Sequence, residues 1–91
     1  MDRTKYILQQ VSTERARQDM LWGDQDNHPF KWLTIIQEEM GEAAKAVLES
    51  RPDEYVAELI QVAAAAVAAI ECYNRTGTVG KLHDMSSVPT G

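Results

Sequence analysis

From Leu59 to Ile70 the chain carries a single polar side chain, Gln61, and alanine stands at 63 to 66, 68 and 69. Alanine is the strongest helix former because it has no rotamer freedom to lose. The segment therefore predicts a helix, extending by pattern from about Asp53 to Tyr73. At about 100° per residue its apolar side chains reach every azimuth, which is how a helix buried on all sides reads. Small alanines let neighbouring helices approach closely. The rest of the chain has too few helices to surround this one. A homo-oligomer, dimer or tetramer, is expected to complete the bundle.

Size points the same way. A chain of 91 residues is one domain, and it buries only about 60–65% of its unfolded surface. The single cysteine, Cys72, forms no internal disulfide, and with only His28 and His83 beside it there is no zinc pattern. Oligomerisation is what remains to offset a thin core. The lone cysteine also fits a reducing, cytoplasmic setting. Nine basic against fourteen acidic side chains give a net charge of −5, which disfavours nucleic acid and anionic membranes as partners. Met1 to Gln10 lacks the apolar core of a signal peptide. The longest uninterrupted apolar run, Val62 to Ile70, is shorter than the roughly 20 residues of a membrane span.

The expected architecture is all-α, three helices and a tail. The first helix runs from about Asp2, its cap, to about Leu21, with a weak stripe of Ile7, Leu8, Val11, Ala16 and Met20. Turn formers fill the loop from Trp22 to Phe30. The second helix spans about Lys31 to Glu49, with Leu33, Ile36, Met40, Ala43 and Val47 at helical spacing. Ser50-Arg51-Pro52-Asp53 breaks the pattern before the third helix. Residues 1–73 form the helical domain, and Asn74 to Gly91 an irregular tail, with Asn74 or Gly77 ending the helix.

Helix two carries Glu38-Glu39-x-x-Glu42 and helix three carries Glu58-x-x-Gln61. A spacing of three places both members of a pair on one helix face. Like charges so spaced repel by a few tenths of a kcal/mol per pair, and only Lys45 is near to offset them. Glu58 and Gln61 open an apolar helix and are expected to face inward, where a carboxylate needs a cation or strong hydrogen bonds. A short turn between antiparallel helices would gather an oxygen-rich cluster of the kind magnesium or manganese prefers. The same spacing also suits an exposed charged face. A di-iron bundle needs Glu-x-x-His pairs, whereas His28 and His83 lie in loop and tail. The chain has neither a glycine-rich phosphate loop nor a G-x-S-x-G elbow.

With these motifs in place, the chain resembles the all-α nucleoside triphosphate pyrophosphatases, most of all the short MazG-like proteins. The likeness runs from about Glu14 to Tyr73 through ERARQD at 14–19, WGDQDNHP at 22–29, WLTIIQEEMGEAAKAVLE at 32–49 and ELIQVAAAAVAAIE at 58–71. It implies an oligomeric helical bundle that cleaves a (d)NTP between the α- and β-phosphates, giving a monophosphate and pyrophosphate, in nucleotide-pool cleaning or control. It also implies that Glu39, Glu42 and Glu58 bind magnesium, while Glu38 helps hold a second ion. Glu38 or Glu42 would orient the attacking water. Gln61 stands where the family usually has Asp; its amide oxygen can ligate magnesium but brings no charge, so one ion is expected to bind more weakly.

Around that core, Trp22, Asn27, His28 and Trp32 are candidates for the base or sugar pocket, and Lys31, Lys45 and Arg17 for phosphate contacts. Each equally suits a structural or solvated role; His28 before Pro29, for example, can cap a turn. The Gln61 departure motivates a second reading, a non-catalytic nucleotide-binding or interaction module on the same bundle. The alanine-rich helix motivates a third, a purely structural oligomer.

Overall fold

The computed structural model describes residues 2–77, and among these all regular structure is helical. Helix α1 spans Arg3–Trp22. The carboxylate of Asp2 accepts the Thr4 N–H at 2.9 Å and satisfies one of the free donors at its start. Gly23, at φ 65°, closes the helix by donating its N–H to the Asp19 carbonyl.

Helix α2, Pro29–Leu48, begins two residues earlier than its apolar pattern suggests. His28 is the reason: its Nδ1 accepts the Phe30 N–H at 3.1 Å, and Pro29 sits in the first turn, where its missing N–H is no loss. A tight turn then leads into α3, Pro52–Thr76. Within the turn Ser50 adopts φ 57°, in the left-handed region, and the Arg51 N–H donates to the Ala46 carbonyl at 2.8 Å. Asp53 and Glu54 lie in the first turn of α3 and Arg75 in its last, matching the helix dipole. Gly77, at φ 65° and ψ 26°, ends it. Asn74 to Thr76 are therefore helical rather than part of the tail. The expected tail beyond Gly77, His83 included, lies outside the described residues.

Helix α3 is the shared wall: α2 packs extensively along it and α1 along another side. Its inward face is Ala64, Ala65, Ala68 and Cys72, all buried. Val56, Leu59, Val67, Ile70 and Tyr73 are exposed, Ile70 by 60%. Within one chain the helix is thus covered on part of its circumference only, in keeping with a helix that three helices alone cannot surround. By length and composition α3 holds a stretch apolar enough to cross a membrane, because its alanines and branched residues keep the mean hydropathy of that stretch high even with Gln61 included.

The face of α2 departs from the expected stripe. Trp32, Ala43 and Ala46 are buried and Ile35 partly so, while Leu33, Met40 and Val47 of the expected stripe are exposed. The helix is turned by about 60° from that expectation, at about 100° per residue. Trp32 packs against Ala68 and Cys72 of α3, with Ile35 and Ala69 beside them. The turn brings Glu39 to the face that meets Glu58. In α1 only Val11 is buried.

Candidate active site

Glu39 on α2 and Glu58 on α3 meet across the helix pair. The Glu39 carboxyl is pushed up to about 7, first by a hydrogen bond shared with Glu58, then by burial, then by the charges of Glu58, Glu42 and Glu38. A hydrogen bond between two carboxyls needs a proton on one of them, and Glu39 is the one whose value is raised. Among the described residues Glu58 Oε2 is buried with no hydrogen-bond partner. A buried carboxylate oxygen without a donor is costly, and a hard cation would relieve it. Glu38 and Glu42 are exposed beside the pair and add negative field. Among the described residues no three His, Cys, Asp or Glu side chains are drawn closely enough together to enclose a metal ion. The donor set that fits a divalent cation is therefore the Glu39–Glu58 pair, with Glu38 and Glu42 at its edge.

Gln61 belongs to a different neighbourhood. Its Nε2 donates to Glu14 Oε2 at 2.8 Å, and its Oε1 accepts from Gln18 Nε2 at 3.3 Å. Both partners are on α1. Arg17 donates to both oxygens of Glu14, at 2.8 and 2.7 Å. That bidentate pair, with burial opposing it and the Gln61 bond assisting, holds the Glu14 carboxyl below its ordinary range. Arg17 is thereby committed to Glu14. Glu14 escapes the sequence reading because its partner lies 47 residues away, a separation that leaves no periodic trace.

Between the helices lies a cavity of about 230 Å³, lined by Trp22, Trp32, Glu39 and Gln61 among others. It brings four of the sequence-selected residues together. Trp32 is only 6% exposed, and its Nε1 is buried without a hydrogen-bond partner among the described residues. Ile35, Ala65 and Ala68 give the cavity an apolar wall. Its two cations, Arg15 and Arg75, are absent from the sequence-selected set. Arg15 has all three nitrogens engaged: Nε and Nη2 bond Glu71, Nη1 donates to Gln18 at 3.0 Å, and Nη2 also donates to Asp19 at 2.9 Å.

The remaining candidates lie outside the cavity lining. Lys31 and Lys45 are exposed on α2. His28 caps α2 and stacks on Phe30, ring centroids 5.5 Å apart. The Asn27 carbonyl accepts from Cys72 Sγ at 3.5 Å, tying the loop to α3. No protein-family model, no curated protein and no solved structure matches this chain.

Proposed function

We propose that the protein is a magnesium-dependent nucleoside triphosphate pyrophosphohydrolase, cleaving a (d)NTP to a (d)NMP and pyrophosphate. The observation that carries this reading is the Glu39–Glu58 pair, short of a cation and next to a tryptophan-lined cavity. Magnesium, or manganese, held by Glu39 and Glu58 with Glu42 and Glu38 beside them, would neutralise charge growing on the triphosphate. Glu38 or Glu42, both exposed, can take a proton from the attacking water and orient it in line. Trp22 and Trp32 offer flat walls for a base, and the Trp32 N–H a donor for its edge.

The exposed apolar residues of α2 and α3, among them Leu33, Met40, Leu59 and Ile70, support assembly with further copies of the chain. Such a soluble oligomer would work in the cytoplasm. The reading is tested with a panel of dNTPs, with and without magnesium. Pyrophosphate and a monophosphate are the expected products; stepwise orthophosphate release through a diphosphate would defeat it. A second reading, nucleotide binding without catalysis, draws on the commitment of the Gln61 amide to α1. It predicts magnesium-dependent stabilisation by nucleotides and no product.

A further inference from the structure

The loop between α1 and α2 walls one side of the cavity with Gly23, Asp24 and Gln25. Arg75, from the last turn of α3, reaches across to hold it. Its Nε and Nη2 donate to Asp26 Oδ1 at 3.1 and 2.7 Å, and Nη2 also donates to the Gln25 carbonyl at 3.3 Å. Among the described residues Nη1 meets only Asp24, at 3.8 Å, which is too long for a hydrogen bond. Asp24 and Asp26 are mostly exposed, so these ion pairs are weak and exchangeable. Of the two cations on the cavity, Arg15 has every nitrogen engaged. Arg75 alone retains an uncommitted donor group and solvent-side partners that can let go.

We infer that Arg75 is both the clasp that closes the 23–28 loop over the cavity and the cation that receives a phosphate-type anion entering it, exchanging Asp24 and Asp26 for the ligand. This identifies the anion contact of the site proposed above and rests on the cavity being that site. The step is an exchange of hydrogen bonds with no covalent change. Gly23, at a backbone angle that favours glycine, is the pivot at one end of the loop. The His28 cap fixes the other end.

The test uses the full chain and inorganic pyrophosphate as probe, titrated calorimetrically in magnesium. Acrylamide quenching is read in a Trp22→Phe background, where buried Trp32 is the sole tryptophan. Arg75→Gln should raise Trp32 quenching and weaken pyrophosphate about tenfold or more, the scale of a lost charge-assisted hydrogen bond. Arg75→Lys should recover part of the affinity. Asp24→Asn with Asp26→Asn should also raise quenching but tighten pyrophosphate, because Arg75 is released; a merely structural ion pair has no such opposite signs. This double variant keeps the inference testable where Arg75→Gln does not fold. Unchanged affinity in folded Arg75→Gln, weaker binding in the double variant, or no saturable binding by the parent at millimolar pyrophosphate would each overturn it. Normal pyrophosphate binding with no dNTP turnover would defeat the catalytic reading and leave this one standing.

Discussion

Helix α3 carries two polar neighbourhoods one turn apart, and they are built on opposite rules. Toward α1, Gln61 joins Glu14, Gln18 and Arg17 in a network where every partner is supplied. Toward α2, Glu58 meets Glu39, and among the described residues no lysine or arginine pairs with either. The first cluster is finished by the chain itself and holds α1 in place. The second is left short of one positive charge. An acidic group near an interface is thus not in itself a site; what separates the two is whether the chain answers the charge.

The largest test of this contrast is turnover. Glu39→Gln should cost at least two orders of magnitude, about 3 kcal/mol in the barrier, with pyrophosphate release as the measure. Glu14→Gln should cost less than about tenfold, roughly 1.4 kcal/mol, and equal losses would erase the distinction. Stability in chelator should respond with opposite signs. Glu58→Gln removes repulsion and raises the melting temperature, whereas Glu14→Gln gives up hydrogen bonds to Arg17 and Gln61. Each change is expected to be about 1 kcal/mol.

Gln61→Asp asks to which cluster position 61 belongs. It replaces the donor facing Glu14 with a like charge, so a loss of about 1 kcal/mol is expected, the same in chelator and in magnesium. A loss that magnesium repairs would move this position to the Glu39–Glu58 side.

The smallest effect is in pH, because Glu39 is half-exposed and screened. Its folded value of about 7 lies above the ordinary 4.5, so the folded state binds the proton more tightly. That contribution is complete below about 4.5 and is lost as pH rises through about 7. Glu14 is shifted downward; its contribution is present above the ordinary value and is lost as pH falls through the lowered one. Melting in chelator should therefore decline between those two values in the parent and flatten in Glu39→Gln. An unchanged slope in that variant would place the titration elsewhere.

Local chemistry was legible from residue order. Asp2, Pro52 and Gly77 mark helix ends where capping rules put them. The meeting of Glu39 with Glu58 was legible too, since a short turn forces antiparallel neighbours. The helix faces were not. Periodicity ranks side chains by hydropathy, but the buried positions of α2 and α3 are mostly small ones, Ala43, Ala46, Ala64, Ala65, Ala68 and Cys72, with Trp32 the large exception. Met40 and Val47 face away. Arg15 and Arg75 escaped because their partners, Glu71 and Asp26, are 56 and 49 residues distant. A charge on a helix surface gives no sign in sequence of which distant acid will meet it.

The turn at Ser50 bears on how freely such a chain can diverge. One residue inserted just past it, within α3 ahead of Glu58, would move that side chain by about 100° around the helix, carrying it away from Glu39 while each helix stayed intact. Replacing Ser50 by glycine should instead relieve a left-handed backbone cost of about 1 kcal/mol and keep the register. Between Glu39 and the end of α2, and between the start of α3 and Glu58, sequence can drift, but length cannot: a helical residue gained or lost there would separate the carboxyls as completely as deleting one of them.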